Sequence, residues 1–251
     1  MSEHRIRVGI GGWDFEPWRG AFYPEGLAKA KQLRFASEQL TAIEVNSTYY
    51  SSQKPATFAN WAKTAPDGFQ FAVKASRFAT NRKLLAEAGE SVGRFLGQGI
   101  TELGDRLGPI LWQFMATKKF DADDFADFLK LLPERQDGIR LRHALEVRHE
   151  SFLDPAFYAL AKMANAAIVF ADSDKFPEID EPTADFTYAR LQRCVEEVPT
   201  GYDGPALDRW AERARGWQER GDVYVFFISG AKVRAPAAAQ ALQQRLGIAP
   251  A

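Results

Sequence analysis

The chain has 251 residues, 46% of them hydrophobic and 13% aromatic, enough to bury a large core as two small domains or one α/β barrel. Its 32 Lys plus Arg against 33 Asp plus Glu leave a net charge of −1. That balance excludes the broad basic field of a non-specific nucleic-acid binder and leaves room for a local basic pocket.

Cys194 is the only cysteine, so no internal disulfide forms, which favours a reducing compartment. The N-terminal "MSEHRIRVGI" lacks the apolar core of a signal peptide, and no run approaches about 18 apolar residues. A cytoplasmic protein without a membrane span is expected.

The first predicted strand is "RVGIGG" (7–12). Its glycines lack the full dinucleotide spacing and run into Trp13 instead of a helix, so they read as a tight strand in a crowded barrel. The long connection "GWDFEPWRGAFYPEGL" follows, with Trp13, Phe15, Trp18, Phe22 and Tyr23. Two readings stay open: the loop covers a site and offers aromatic faces to a ligand, or it is a satellite hydrophobic cluster. The second strand, "AIEVN" (42–46), ends in Asn46, with Tyr49 just beyond. Phe58, Trp61, Ala62 and Ala65 then follow helical spacing after Pro55.

Strands three and four are "FQFAVKA" (69–75), carrying Lys74, and "PILWQF" (109–114). "DADD" (121–124) reads as an acidic helix start, and Phe125, Phe128, Leu129 and Leu132 continue the helical period. The fifth strand, "ALEVR" (144–148), alternates Leu145 and Val147 with Glu146 and Arg148. A carboxylate and a guanidinium therefore share one face. Asp154-Pro155 starts another helix, with Phe157, Leu160, Ala161 and Ala164 on its apolar side. "AIVFAD" (167–172) ends in Asp172 and leads into the aperiodic, proline-containing stretch 173–184, predicted to lack a full helix. "FTYARL" (186–191) carries Arg190, a helix built on Leu207, Trp210, Ala211 and Ala214 follows, and "VYVFFIS" (223–229) is the eighth strand.

Eight strands with mostly helical connections in about 250 residues predict a (β/α)8 TIM barrel, one domain over 1–251, rather than an open doubly wound sheet. In such a barrel the site lies at the C-terminal ends of the strands. Face parity brings Glu44 with Asn46, Glu146 with Arg148, Lys74, and Arg190 with Tyr188 to that mouth. The competing reading is a set of structural ion pairs closing the barrel top. Burying so many charges is costly unless they are paired, and a ligand site is one reason to keep them.

The ordered motifs "GWDFEPWRGAFYPEGL", "IEVNSTYYSSQ", "W…TAPDGFQFAVKASR", "LGPILWQF", "EVRHESF" and "YARL" resemble the YecE-like family, domain of unknown function 72, over nearly the whole chain. The resemblance implies a TIM barrel and assigns no chemistry. Where relatives commonly carry Thr-His, this chain has Thr80-Asn81; where they read Arg-Leu-His-Gly, it has Arg190-Leu191-Gln192-Arg193. "FFISGAKVRAP" replaces their Asn-rich strand end. Two candidate proton-transfer histidines are thus absent.

The expected function is an enzyme acting on a small anionic or sugar-phosphate-like substrate, of hydrolase or lyase type. Arg148 and Arg190 hold a phosphate or carboxylate through forked hydrogen bonds, and Glu146 is the general acid or base or orients Arg148. Lys74 stabilises an oxyanion, while Asn46, Tyr49, Asp172 and Trp13 contact the substrate. No organic cofactor is required. No metal site is assigned, although a carboxylate-held Mg²⁺ is compatible with the sequence. The alternatives are a non-catalytic metabolite binder, which the missing histidines favour, and a nucleic-acid processing protein, which the near-neutral charge disfavours.

Overall fold

The computed structural model describes residues 4–249. The ends of the expected 1–251 domain, residues 1–3 and 250–251, lie outside the described residues. Eight strands form the wall: β1 (Ile6–Gly11), β2 (Ala42–Val45), β3 (Gln70–Lys74), β4 (Leu107–Gln113), β5 (His143–Glu146), β6 (Ala167–Ile168 and Phe170–Asp172), β7 (Phe186–Leu191) and β8 (Asp222–Phe227). All pair in parallel with their neighbours, and β8 pairs back onto β1, with Ile6 opposite Val223. The sheet closes through β6. Its first segment pairs with β5 and its second with β7, so the break at Val169 is where one strand changes partners.

The closed parallel barrel is the predicted architecture. The helices are α1 (Gln32–Gln39), α2 (Ser47–Tyr50), α3 (Pro55–Thr64), α4 (Arg77–Thr80), α5 (Gly89–Leu96), α6 (Ala122–Lys130), α7 (Pro155–Met163), α8 (Gly204–Gln218) and α9 (Ala235–Leu246). Their starts follow local chemistry. Asp121, Asp154 and Asp203 cap α6, α7 and α8 by accepting backbone N–H bonds, and Pro155 and Pro205 occupy the first turns of α7 and α8. The connection after β6, 173–184, contains no helix, as its missing periodicity predicts. Short α2 and α4, and a small antiparallel pairing of Arg135–Gln136 with Ile139–Arg140, escape the periodicity reading because each is under two helical turns or two residues per strand.

Two apolar layers form, as a twisted sheet rolled into a tube requires. The larger lies between the outer strand faces and the helices. The smaller fills the tube with Ala42, Ala72, Leu111, Ala144, Ala167, Val169, Phe186, Tyr188, Tyr224 and Phe226. Counting two residues onward from those inward positions reaches Glu44, Lys74, Gln113, Glu146 and Arg190, so the strand period carries polar side chains from the packed interior to the mouth. Gly9 belongs to the same tube: a Cβ there would sit 2.0 Å from the carbonyl oxygen of Ala42. Gly9 and Gly11 serve close packing, whereas Gly12 takes a positive φ of +72° with nothing within 4 Å of an added Cβ.

Candidate functional site

At the C-terminal mouth lies a cavity of about 620 Å³, lined among others by Trp13, Asn46, Lys74, Gln113, Arg148 and Arg190. Beneath it is a buried ion network. Arg190, 3% exposed, reaches from β7 to β2 and β5. It donates from Nε and Nη2 to the two oxygens of Glu44, each at 3.0 Å, and from Nη1 to Glu146 Oε2. Tyr188 donates its hydroxyl to Glu44 Oε2 at 2.7 Å. Gln113 donates to Glu146 Oε2 at 2.6 Å, and Arg148 donates from Nε and Nη2 to Oε1 at 3.1 and 2.9 Å. Each oxygen of Glu146 thus accepts two donors.

The shifts follow from this wiring. Burial opposes ionisation of Glu146, but Arg190, Arg148, Gln113 and Lys74 outweigh it and hold its pKa at about 2. Burial and the neighbouring Glu44 push the Tyr188 hydroxyl far above its ordinary value, so it stays a donor. Lys74 moves the other way. Burial, then Arg190, lowers its ammonium to about 8, against the opposing pull of Glu44 and Glu146.

Lys74 is set apart by its contacts. Among the described residues its Nζ makes no hydrogen bond and no ion pair; it lies 4.4 Å from the centre of the Tyr49 ring. Both nearby carboxylates already face arginines. Thr48 Oγ1 donates to the Lys74 carbonyl at 2.7 Å, fixing the short helix α2 to the end of β3. That places Tyr49 over the amine, where Asn81 donates to the Tyr49 hydroxyl at 3.2 Å.

Lys74, Glu146, Arg148, Arg190 and Asn46 therefore meet at one mouth. Arg148 does so although β5 ends at Glu146; it reaches back along the same face from the loop and stacks on Phe176, 4.4 Å to the ring centre. Trp13 lines the cavity and packs edge-on against Trp61 at 5.2 Å. Trp18, Phe22 and Tyr23 of the same loop form a hydrophobic cluster with Phe35. The two readings of that loop thus divide between its residues.

Asp172 does not join the mouth. It shares the outward parity of Phe170, whose ring packs on Trp210 and Trp217 of α8. Its carboxylate accepts from Arg193 at 2.6 Å and from the Tyr202 hydroxyl at 2.8 Å. The all-apolar run before it hides which face is inward.

Sequence reasoning also omitted Gln113, Tyr50, Ser229 and Lys232 from the site, although all line the cavity. Ser229 carries φ +68°, an uncommon left-handed conformation for a residue with a side chain. Gln113 and Ser229 were legible as polar strand ends; Tyr50 enters from the short helix α2 and Lys232 from a 3-10 turn after β8, neither of which a pattern signals. As for metals, Glu44 and Glu146 are occupied by arginine, and Asp14, which also lines the cavity, pairs with Lys29 at 2.6 Å. Among the described residues no group of three or more His, Cys, Asp or Glu is arranged to hold an ion.

A family model described as "Protein of unknown function DUF72" matches residues 7–251. The chain belongs to the DUF72 family. A DUF72 protein of Thermotoga maritima shares its structure with a TM-score of 0.76 at 25% identity, over 96% of this chain and 97% of that one. A DUF72 protein of Enterococcus faecalis gives 0.76 at 18% identity, over 99% and 100%. Outside DUF72, a D-psicose 3-epimerase of Clostridium cellulolyticum, solved with D-tagatose, is similar at 0.53 and 13% identity, over 96% and 95%, a likeness of fold alone. No curated protein matches the chain. Among the described residues no helix is long and apolar enough to cross a membrane.

Proposed function

We propose that this DUF72 protein is an enzyme of hydrolase or lyase type that takes a small anionic, sugar-phosphate-like substrate into the barrel mouth. The observation that carries the reading is the charge left over beneath the cavity. Glu44 and Glu146 are set against Arg190, Arg148 and Lys74, so two negative charges meet three positive ones, and Lys74 is the one without a partner. A buried, unpaired cation next to open space favours an anion, whose attraction is strengthened where water is excluded.

In this reading Arg148 is the second anion contact. Its Nε and Nη2 are held by Glu146 while, among the described residues, its Nη1 donates to no protein group, leaving one edge of the guanidinium for a ligand oxygen. Arg190 is a positioning residue, because each of its three nitrogens donates to one of the two carboxylates. Glu146 is one too: with four donors on two oxygens and a pKa near 2, it neither gives nor takes a proton at neutral pH. Lys74, titrating at about 8, is the group poised for proton transfer or oxyanion stabilisation. Asn46 and Trp13 contribute a polar and an aromatic wall.

Thermal unfolding with phosphate, sulfate and sugar phosphates, at constant ionic strength, tests this reading. The wild type is expected to melt higher with at least one anion and Arg148→Ala to respond less, because ligands that bind only the folded state stabilise it. Incubation with the best sugar phosphate, followed by NMR, is expected to show conversion. An equal response of both proteins, or none, contradicts the anion site; binding without conversion favours a metabolite binder.

A further inference from the structure

We infer that Lys74 is a carbonyl-capturing amine, forming an imine with an aldehyde or ketone whose phosphate or carboxylate group sits against Arg148. The inference rests on the anion reading above and narrows its substrate class.

The geometry separates Lys74 from the other buried or cavity-lining lysines. Lys118 Nζ is tied to Asp124 at 2.6 Å and to the Lys83 carbonyl at 2.8 Å. Lys232, which also lines the cavity and likewise makes no hydrogen bond or ion pair among the described residues, differs in being packed over two rings, Phe15 at 4.5 Å and Trp18 at 5.4 Å. Lys74 has one aromatic face beside it and no hydrogen-bond partner, while its stem is buried in the strand. Glu44 and Glu146, the groups that would ordinarily pair with it, are turned toward arginines by at least three donors each. A nucleophilic lysine needs an accessible nitrogen, a lowered proton affinity and no acceptor that locks its protons in place. The mouth supplies all three.

The chemistry balances without an added reagent. Lys74, as the neutral amine, attacks the carbonyl carbon; a C–N bond forms and the C=O π pair moves to oxygen, which takes a proton. The nitrogen releases a proton, the hydroxyl leaves with another as water, and the C=N bond closes. Counted from the ammonium, the net change is ammonium plus carbonyl to iminium plus water. The electron-withdrawing iminium then favours bond cleavage or proton loss at the adjacent carbon, which selects the lyase arm of the proposed function over hydrolysis. With its amine lowered to about 8 by burial and then Arg190, roughly a tenth of Lys74 is neutral at pH 7, against about one in three thousand for an ordinary lysine.

The test traps the imine on the whole protein. Pyruvate, glyoxylate and dihydroxyacetone phosphate are each incubated with the protein and sodium cyanoborohydride at pH 7, and adducts are located by intact mass and peptide mapping. The expected product is one adduct at Lys74, heavier by the carbonyl compound less one oxygen atom. It should form about tenfold or more faster than at any other lysine and be slowed by inorganic phosphate. Lys74→Met and Lys74→Arg, checked for folding by circular dichroism, should both lose it. No adduct at Lys74 with any of the three compounds, or labelling that favours Lys232 or the surface lysines, overturns the inference. If phosphate raises the melting temperature while Lys74 stays unlabelled, the imine fails and the anion site stands. If Lys74 is labelled without protection by phosphate, the imine stands and the anion site falls.

Discussion

The two ends of the barrel both bury arginine against carboxylate, and the C-terminal one adjoins a cavity of about 620 Å³. At the N-terminal end, Arg142 donates to Asp222 at 2.9 Å and to the Tyr224 hydroxyl at 2.8 Å, and Arg7 lies 3.5 Å from Asp222 with its guanidinium over the Tyr224 ring. The Tyr224 hydroxyl in turn donates to Gln70, plugging the tube. Arg7 Nε and Nη1 have no hydrogen-bond partner, yet both are sealed from solvent. At the C-terminal end Lys74 makes no hydrogen bond or ion pair among the described residues, and it faces about 620 Å³ of open space. A buried cation with unmet donors is therefore not by itself a site. Access decides, and the strands of a parallel barrel give it at their C-terminal ends.

The strongest way to break this comparison is to remove the arginine that joins the mouth's two carboxylates. Arg190→Met leaves Glu44 and Glu146 buried without their shared cation, a change expected to cost about 3–5 kcal/mol in urea unfolding. A loss below about 1 kcal/mol would mean that the network does not depend on Arg190.

A second, smaller effect follows from Lys74. Its folded pKa, about 8, lies below the unfolded value near 10.4, so between these pH values the unfolded state holds more protons. Stability from this group is therefore lowest below pH 8 and rises toward pH 10.4, by on the order of 2–3 kcal/mol. Unfolding of wild type and Lys74→Met from pH 7 to 10 isolates it: the variant should be the more stable at pH 7, with the gap closing as pH rises. A constant gap would place the amine in water.

The smallest effect belongs to the other end. Arg142→Met, where the side chain is partly exposed, should cost about 1.5 kcal/mol and leave the response to phosphate unchanged. A weakened phosphate response would show that the two ends are coupled through the tube.

How far the sequence carries this picture depends on which signal each residue leaves. The barrel was legible because eight apolar runs alternate with helical periods, and the helix missing after β6 because 173–184 has neither. Glu146 with Arg148, Lys74 and Arg190 were legible because strand parity aims them with inward neighbours such as Ala144, Ala72 and Tyr188. Asp172 was misplaced because "AIVFAD" is apolar on both faces, so its parity carries no information; Ala167 and Val169 turn inward and Asp172 outward. The division of labour among the charges was not legible at all. Which carboxylate oxygen Arg190 reaches, and so which cation is left over, depends on distances between strands far apart in the chain.

The leftover charge at the barrel mouth is open to direct measurement. Calorimetric titration of phosphate at pH 7 and constant ionic strength, into wild type, Lys74→Met and Arg142→Met, measures it. Wild type and Arg142→Met are expected to bind alike and Lys74→Met about tenfold or more weakly, the loss of one charge-assisted contact of about 1.5 kcal/mol. Equal binding by Lys74→Met and wild type, or loss of binding in Arg142→Met alone, would contradict the assignment of the anion to the barrel mouth.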